Sequence, residues 1–440
     1  MNPGSPTPRL IRPPSRLRSP QLDVLIVLVA NLGSTSLKYR LMDMSDERTL
    51  ARGSVETIGG PESRIRMGVG DRSFESVRYV TDHADALAAC LDDLTVGPHA
   101  VLDGDRGVDA VGFKAVHGGR LSGSRRVDDD VLNAMAEMND VAPAHNPMYI
   151  EAMRSVGRRF ENLPMVAAFE TGYHATIPPS RTTYAIPKSW RDRGVRRYGF
   201  HGASHRYIAT RMAQRMGRDD ARIISCHLGG SSSITASVGT RSVFTTMGMT
   251  PQTGLPQNNR VGDFDPFALL LIAHSADQSS RSAAPSDPPT LESMLQTLAS
   301  EGGLAGISGR SNDIREIHTG AAQGDADCQL AVDVFVEEIR RQIGGALMAA
   351  GGADAIVMTG GIGENDVIVR RRVLADLRWC GIELDADKNA APDVDGDGEC
   401  PIHASGSDAE IWIVPTNEEL IVARQTVEVL NQPSDAPEAG

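Results

Sequence analysis

Short apolar runs alternate with longer stretches of helical periodicity from Asp23 onward. The first run, Val24 to Ala30, is almost continuously aliphatic and ends in the polar sequence Asn31 to Ser36. Such a run predicts a buried strand that enters a tight turn. Because strand and helix patterns alternate along the chain, we expect an α/β fold in which helices cover the sheets.

A second strand-and-turn unit lies in the other half of the chain. Ile223 to Leu228 is followed there by the small residues Gly229 to Ser233. One such unit in each half predicts two related domains that face a common ligand. The alternative is chance similarity, because turns of any origin favour glycine and serine.

Two further units complete the pattern. Residues 327–350 have helical spacing, end at two glycines and precede a strand at 355–358 that enters the glycine-rich turn 359–365. The predicted apolar stripe of this helix contains Leu330, Val334, Ile339, Ile343 and Leu347. A last strand, Ile411 to Val414, leads into an acidic segment that ends at Glu419.

Length and composition set the outline of the chain. A length of 440 residues predicts two domains of ordinary size. Residues 1–22 are rich in proline and arginine and lack the apolar core of a signal peptide, which predicts a disordered extension or a start codon assigned too early. Residues 275–290 predict an exposed loop, and residues 432–440 predict a flexible tail.

The charge balance is acidic, with 44 Lys and Arg against 57 Asp and Glu and a net charge of −13. This balance argues against nonspecific binding to nucleic acid or to an anionic membrane surface. The five cysteines are scattered without metal-ligand spacing, which predicts a reducing, cytoplasmic location. Since the longest strong apolar run is far shorter than the roughly 20 residues that span a bilayer, we expect a soluble protein.

Small residues after the buried strands are candidate phosphate ligands. A glycine turn exposes backbone N–H groups to an anion because no β-carbon blocks the approach. In the first turn, side-chain donors and one positive charge come from Asn31, Ser34, Ser36 and Lys38. A simple hairpin turn would favour the same residue types. The P-loop pattern of a different nucleotide-binding class is absent from the sequence.

Two further positions are candidates for stabilising a transferred phosphoryl group. His201 lies between glycines and directly follows an aromatic residue, an arrangement that suits an exposed turn better than a packed helix face. Its N–H would stabilise charge on a phosphoryl oxygen. The alternatives are a structural role for His201 and a surface salt bridge for Arg260, which lies in a polar, turn-prone segment.

Other candidates lie at predicted helix starts. Asp313 and Arg315 are two residues apart at such a start, where Asp313 would either cap the helix or bind a ligand. Glu418 follows the last strand, where its carboxylate would either complement the dipole of a helix or hold Mg²⁺ through water.

These segments together resemble the acetate kinase family of the actin-like, sugar-kinase-like phosphotransferases. The resemblance runs from about Val24 to Arg424 and keeps the order of the family's motifs. The motifs that carry it are Asn31 to Lys38, Val116 to Gly119, Ala142 to Pro147, Tyr198 to His205, His227 to Gly229, Gly248 to Pro251, Gly306 to Arg315, Gly361 to Asn365 and Pro415 to Leu420.

The resemblance implies two domains of the actin-like ATPase (ribonuclease H-like) type, with duplicated cores and the active site in the cleft between them. The implied limits are 23–172 plus 418–431 for the N-terminal domain and 173–417 for the C-terminal, nucleotide-binding domain. The family also implies ATP, a divalent cation that is Mg²⁺ or alternatively Mn²⁺, a short-chain carboxylate as phosphoryl acceptor, and a homodimer.

Matching positions imply the roles of individual residues. Catalytic residues are implied at Glu170, His201 and Arg260, and metal ligands at Asn31 and Glu418. The acyl pocket is implied at Lys114, Val116, Ala144, Phe200 and Pro251. Nucleotide contacts are implied at Ser34, Ser36, Lys38, His227, Leu228, Gly229, Gly230, Ser231, Asp313, Ile314, Arg315, Gly361, Ile362, Gly363, Glu364 and Asn365.

Some of these positions depart from the family's pattern. The usual arginine is Lys114, which keeps the charge and loses the planar bidentate grip on a carboxylate. The usual aspartate is Glu170, which is one methylene longer. Gly230 and Ser231 replace an asparagine and a glycine, and Ala144 replaces a leucine, which would enlarge the acyl pocket.

The leading hypothesis is an acetate kinase that moves the γ-phosphoryl group of ATP to acetate by direct in-line transfer, in both directions. Positioning and positive electrostatics do most of the catalysis in such a reaction. The enlarged pocket leaves a kinase of a longer acid, such as propionate or butyrate, as one alternative. Another is a nucleotide-binding member of the family that has lost turnover, since Lys114, Glu170 and Gly230 change together.

Overall fold

The structure is a computed structural model that describes residues 26–96, 98–102, 107–143, 145–279 and 289–432. The first of its two sheets contains β1 (Ile26–Gly33), β2 (Ser36–Asp43), β3 (Arg48–Glu56), β4 (Ser63–Val69), β5 (Arg72–Arg78), β6 (Ala110–Ala115), β7 (Ser124–Arg126) and β8 (Met165–Phe169). The second contains β9 (Arg222–His227), β10 (Ser233–Val238), β11 (Arg241–Thr245), β12 (Ala355–Thr359), β13 (Cys400–Pro401) and β14 (Glu410–Ile413).

Helices cover the faces of both sheets. They are α1 (His83–Thr95), α2 (Asp129–Ala136), α3 (Asn146–Arg159), α4 (Pro179–Thr182), α5 (Lys188–Arg191), α6 (Gly202–Met216), α7 (Ala268–Ser279), α8 (Leu291–Ser300), α9 (Gly303–Ser308), α10 (Ile314–Ala322), α11 (Ala326–Ala350), α12 (Gly360–Asn365), α13 (Val367–Val373), α14 (Ala386–Ala390) and α15 (Glu418–Asn431). Among the described helices, none is long and apolar enough to cross a membrane.

The two sheets share one topology. The first has the strand order β5-β4-β3-β2-β1-β6-β8-β7, and the second has the order β11-β10-β9-β12-β14-β13. In the first sheet the antiparallel strands β3-β2-β1 are followed by β6 and β8, which run parallel to β1. In the second, β11-β10-β9 are followed in the same way by β12 and β14. The repeated order confirms the predicted fold class, an α/β fold with two related units.

The first strand-and-turn unit is a β-hairpin. β1 runs to Gly33, beyond the predicted end at Ala30, so Asn31 lies in the strand and pairs with Lys38 of β2. The polar residues stay in the strand because β2 supplies partners for their backbone groups, which the sequence of one strand does not reveal.

The C-terminal helix crosses from one sheet to the other. Side chains alternate along β1, so that Leu28 faces the core under α1 and α3 while Val29 faces the opposite apolar layer. α15 follows β14 of the second sheet, yet it packs in that layer against β1, β6 and β8. α6 contacts both α15 and β9. This crossing places Glu418, the first residue of α15, near the edge of the first sheet.

Two local predictions need correction. The predicted loop 275–290 contains the end of α7 and, at Thr290, the N-cap of α8. The helix predicted at 327–350 is α11, but Leu330 is 50% exposed, and Phe335 and Val336 are buried instead. The buried face differs from the predicted stripe because α11 packs against α9, α10 and β10 together.

Some predictions fall on parts of the chain that the structure does not describe. The predicted N-terminal extension, residues 1–22, lies outside the described residues, as do 280–288 and 433–440. The limits of the two domains stay a prediction.

Candidate active site

Three predicted site residues lie at one edge of the first sheet. Asn31 and Lys114 follow directly after a paired position of the parallel strands β1 and β6. Glu170 lies just past β8, and its amide donates to the carbonyl of Ala115 in β6 (2.9 Å). The carboxyl ends of parallel strands meet at one edge, where open α/β sheets bind their ligands. The sheet therefore brings Asn31, Lys114 and Glu170 together.

Lys114 bridges two carboxylates. Its Nζ atom lies 3.3 Å from Oε1 of Glu170 and donates a hydrogen bond to Oε2 of Glu418. Burial alone would lower the pKa of Lys114, but the two carboxylates raise it, so the ammonium stays charged. Burial raises the pKa of Glu170 against the attraction of Lys114. Burial acts in the same direction on Glu418, but Lys114 outweighs it and lowers the pKa of that carboxyl.

Tyr149 holds Asn31 in place, and the sequence analysis did not predict it. The Tyr149 hydroxyl donates to Oδ1 of Asn31 (3.2 Å) and accepts from the backbone N–H of Leu32 (3.0 Å). Tyr149 lies among buried apolar residues of α3, so its local pattern indicates only a core position.

His201 precedes α6 in a left-handed backbone conformation (φ 56°, ψ 30°). The next amide, that of Gly202, donates to the carbonyl of Glu170 (3.0 Å) and ties this turn to the end of β8. The Nδ1 atom of His201 lies 2.8 Å from the hydroxyl oxygen of Ser233, and its ring stacks on His227 with centroids 4.3 Å apart. The ring is thus held by residues of the second sheet while its backbone is held by the first.

The pKa of His201 lies well below its usual range. Burial is the largest cause, and the rings of His227 and His205 and the cations Lys114 and Arg260 add to it. His201 is therefore neutral at pH 7 and keeps one N–H. The charges of Lys114 and Arg260 thus act on the His201 ring.

Other buried histidines support this turn. Nε2 of His174 donates to the carbonyl oxygen of Phe200 (2.8 Å), the residue before His201. The ring of His205 is bound on both sides by hydroxyls of serines from β9 and β10. Burial lowers the pKa of His174 to about 4. The motif around His201 included His205, but its partners come from distant strands that no local pattern predicts.

Arg260 is a largely buried cation, and no described carboxylate lies within ion-pair distance of it, so the surface salt bridge considered for it is not formed. Its Nη1 atom donates to the hydroxyl of Ser231 and to the amide oxygen of Gln257, both at 3.2 Å. Burial lowers its pKa, and a guanidinium still stays charged at pH 7. The charges of Arg260 and Lys114 also act on His145, whose pKa is lowered first by burial and then by these two cations. His145 was quoted within a motif but not predicted as a site residue.

The predicted nucleotide contacts divide between a cavity and its surroundings. A cavity of about 860 Å³ is lined by the predicted residues Gly229, Gly230, Asp313, Ile314, Arg315, Gly361, Ile362 and Asn365. Outside this lining are His227, Leu228, Ser231, Gly363 and Glu364, together with Ser34, Ser36 and Lys38 of the β1–β2 hairpin. The cavity has the size of a typical site for a small organic ligand.

Two glycine-rich turns dock on each other beside this cavity. The carbonyl of Leu228 accepts from the amides of Ile362 (2.8 Å) and Gly363 (3.1 Å). Gly360 has φ +77°, and a β-carbon there would lie 2.7 Å from the oxygen of Leu228. Only glycine fits such a close approach. The predicted turn 359–365 is therefore a short helix, α12, held against the turn after β9.

Asp313 and its neighbours line the cavity from α10. Oδ1 of Asp313 accepts from the amide of Arg315 (2.9 Å), which confirms the helix-capping interpretation, and the two side chains also form an ion pair. The lining residues that sequence analysis missed include His318 and Asp366, whose Nε2 and Oδ2 atoms lie 2.8 Å apart. His318 lies one helical turn beyond Arg315, where the family motif ends. The helical spacing of α10 is therefore the sequence signal that would have pointed to His318.

Two of the described walls of the predicted acyl pocket, Val116 and Phe200, lie next to His117. Val116 is its neighbour in the chain, and the ring of Phe200 lies 5.7 Å from that of His117, centroid to centroid. Pro251 lies in the segment after β11 whose backbone accepts hydrogen bonds from the turn before Phe200. Ala144, the predicted enlarging substitution, lies outside the described residues.

Comparison with known proteins decides the family. The profile of the acetokinase family matches residues 26–424. The chain belongs to the acetokinase family. An acetate kinase from Shouchella clausii is 37% identical over 405 residues, which cover 91% of this chain and 98% of that protein. Acetokinases are phosphotransferases. The family match confirms the resemblance inferred from the motifs.

Solved structures of acetokinase relatives share this fold over their full length. The crystal structure of Porphyromonas gingivalis acetate kinase superposes with a TM-score of 0.81 at 31% identity, covering 92% of this chain and 100% of that one. A propionate kinase from Francisella tularensis gives a TM-score of 0.79 at 31% identity, covering 91% of this chain and 98% of that one. The predicted roles of single residues in this acetokinase stay predictions.

Proposed function

We propose that this acetokinase-family protein transfers the γ-phosphoryl group of ATP to acetate, giving acetyl phosphate and ADP, and catalyses the reverse reaction. The observation that carries the proposal is the largely buried guanidinium of Arg260, which no described carboxylate neutralises. Arg260 and the ammonium of Lys114 both act electrostatically on the neutral ring of His201. In a site shielded from water, such cations and an N–H donor would stabilise the negative charge of a phosphoryl group during its transfer.

The chemistry requires little beyond position and charge. Acetate is already a carboxylate at pH 7, so it attacks phosphorus without giving up a proton. Arg260 and His201 would donate to the phosphoryl oxygens, where negative charge spreads in the transition state. Glu170 has a raised pKa and lies beside the Lys114 ammonium, so it would orient that lysine. A general base is not required, because the acceptor carboxylate has no proton to remove.

Residues at the edge of the first sheet fit a divalent cation. Both carboxylate oxygens of Glu170 are buried, and apart from the ion pair of Oε1 with Lys114 they have no hydrogen-bond partner among the described residues. Glu418 pairs with the same lysine. In the part of the chain that the structure describes, no group of three or more His, Cys, Asp or Glu forms a metal cage. Mg²⁺ suits such a site because it binds through one or two carboxylates, waters and substrate phosphates.

We therefore assign Mg²⁺, with Mn²⁺ as an alternative, to Asn31, Glu170 and Glu418. When bound, the ion would neutralise charge on the phosphates of ATP. Lys114 would keep the two carboxylates at this edge.

A kinase of propionate or a longer acid is the second candidate. The Francisella tularensis propionate kinase matches this chain at the same 31% identity as the Porphyromonas gingivalis acetate kinase. Val116, Phe200, Pro251 and Ala144 would set the length of the acid. Each methylene of the substrate changes discrimination by about 1–3 kcal/mol, so small changes in these walls alter preference.

We also propose a cytoplasmic homodimer. All five cysteines are free, in keeping with a reducing compartment. Apolar side chains are exposed before and along α7 and α8, namely Phe267 (76%), Leu270 (57%), Ile272 (54%), Leu291 (56%) and Leu295 (50%). Exposed apolar surface marks association sites. Sedimentation should show a dimer, and Phe267→Asp should shift it to the monomer.

A panel assay tests the proposed reaction. Purified protein is incubated with ATP, Mg²⁺ and acetate, propionate or butyrate, and acyl phosphate is trapped as the hydroxamate. We expect the highest kcat/KM with acetate and a loss of about 10³-fold in Arg260→Ala. Arg193→Ala, which removes an exposed arginine, is the matched control and should retain activity.

The panel also separates the alternatives. A maximum at propionate or butyrate would establish the second candidate. ATP binding by calorimetry without acyl phosphate from any acid would instead establish a family member that has lost turnover. Full activity of Arg260→Ala would contradict the proposed mechanism.

A further inference from the structure

Arg260 is held in a closed set of three hydrogen bonds. Its Nη1 atom donates to Oγ of Ser231 and Oε1 of Gln257, each at 3.2 Å, and the Ser231 hydroxyl donates to the same Oε1 at 2.8 Å. Nη1 is therefore directed at the protein. For Nη2 and Nε the described residues supply no acceptor, so these donors remain for an anion.

Gln257 is anchored at both ends. It is completely buried, its Nε2 atom donates to the carbonyl of Pro251 (2.6 Å), and its backbone amide donates to the carbonyl of Arg260 (3.0 Å). Because a carbonyl oxygen only accepts, the side-chain amide must place Nε2 toward Pro251 and Oε1 toward Arg260. The hydrogen bond to Pro251, a predicted acyl-pocket residue, thus determines where Oε1 of Gln257 points.

Ser231 connects the same set to the nucleotide side. It follows Gly230, which lines the 860 Å³ cavity, and belongs to the turn between β9 and β10. Its hydroxyl proton is used on Gln257, so an oxygen lone pair faces the guanidinium. One serine therefore joins the nucleotide turn, the buried glutamine and the arginine.

We propose that Ser231 and Gln257 are positioning residues that hold Arg260 between the nucleotide turn and the acyl-pocket wall. This inference rests on the proposed phosphoryl transfer. An arginine side chain loses much rotamer entropy when it is immobilised, and a donor fixed in advance stabilises developing charge without reorganisation. Ser231 and Gln257 supply that immobilisation before the substrates bind.

A double-mutant cycle tests the role of Ser231. Ser231→Ala should lower kcat about tenfold while the KM for ATP stays within about twofold, because only the orientation of Arg260 changes. Ser231→Thr keeps the hydroxyl and should retain activity within about threefold. In an Arg260→Ala background, Ser231→Ala should cause no further loss, since the group that it positions is absent.

The chain offers a matched control on α3. There Oγ of Ser155 accepts from Nη2 of Arg158 (2.8 Å) and donates to Oε1 of Glu151 (3.2 Å), the same arrangement on an exposed surface. Ser155→Ala should leave kcat unchanged. An unchanged kcat in Ser231→Ala, or an equal loss in both Arg260 backgrounds, would overturn the inference.

A binding measurement separates this inference from the proposed function. Calorimetry with inorganic phosphate should show weaker binding in Arg260→Ala and an intermediate affinity in Ser231→Ala, whether or not the protein turns over. Wild-type affinity in Ser231→Ala would overturn the role of Ser231. Wild-type protein without turnover on any acid would contradict the proposed function alone, and phosphate affinity would still decide the role of Ser231.

Discussion

The Nζ atom of Lys114 lies 3.3 Å from Oε1 of Glu170, and the same ammonium donates to Glu418. Lys114 belongs to β6, Glu170 follows β8, and Glu418 begins α15. One lysine thus joins two strands of the first sheet to a helix that arrives from the second sheet. The active-site edge and the attachment of the C-terminal helix depend on the same charge.

Replacement of Lys114 tests this dependence. We expect Lys114→Met to lower the free energy of unfolding by about 3 kcal/mol at pH 7, because two buried carboxylates lose their cation. The raised pKa of Glu170 means that the folded variant takes up a proton before the unfolded chain does, so the deficit should shrink toward pH 5. Urea denaturation at both pH values measures this.

The control for that variant is Lys188→Met, which removes an exposed lysine and should change stability by less than about 0.5 kcal/mol. A deficit that is equal at pH 7 and pH 5, or absent, would contradict the bridging role of Lys114.

Glu170 should govern the metal requirement. We expect Glu170→Gln to raise the Mg²⁺ concentration for half-maximal activity by about 10–100-fold, since the amide supplies a weaker oxygen ligand and lacks the negative charge. Activity measured over a Mg²⁺ titration tests this, and the exposed Glu161→Gln is the control. An unchanged titration curve would remove Glu170 from the metal site.

Buried histidines should make the fold sensitive to acid. Burial lowers the pKa of His117 and of His174 to about 4 each, whereas both titrate near 6.5 in the unfolded chain. Between these values the unfolded chain binds protons that the folded chain does not, so stability falls as the pH drops from about 6.5 to about 4. At pH 5 each histidine should account for a loss of roughly 2 kcal/mol.

Urea midpoints at pH 7.5, 6 and 5 measure this sensitivity. His174→Asn removes one titrating group and should flatten the dependence. A midpoint that does not move over this range would show that these rings titrate normally.

His318 should contribute to nucleotide affinity. It lines the cavity and is held by Asp366, so His318→Ala should weaken ADP binding and raise the KM for ATP by about tenfold. Calorimetry with ADP measures the effect. Glu316→Ala changes an exposed residue of the same helix outside the cavity lining and should leave the affinity unchanged; an equal effect of both variants would point to α10 as a whole.

The sequence by itself determined the elements and the family. Apolar runs predicted the strands that became β1, β9, β12 and β14, and helical spacing predicted α11, because burial repeats with the period of each element and is therefore visible in consecutive residues. The glycine-rich turns were also visible in consecutive residues, because glycine or serine residues cluster directly after the apolar runs of β1, β9 and β12. The ordered motifs predicted the acetokinase family over the whole region, residues 26–424, that its profile matches.

Only the tertiary structure decided which distant side chains meet. Lys114 and Glu418 are 304 positions apart, and their contact depends on the path of α15 from the second sheet to the first. His145, Tyr149 and Gln257 have no local pattern that distinguishes them from ordinary core or turn residues. Their partners are set by how two sheets and their helices pack, a property of the whole chain that short-range periodicity does not encode.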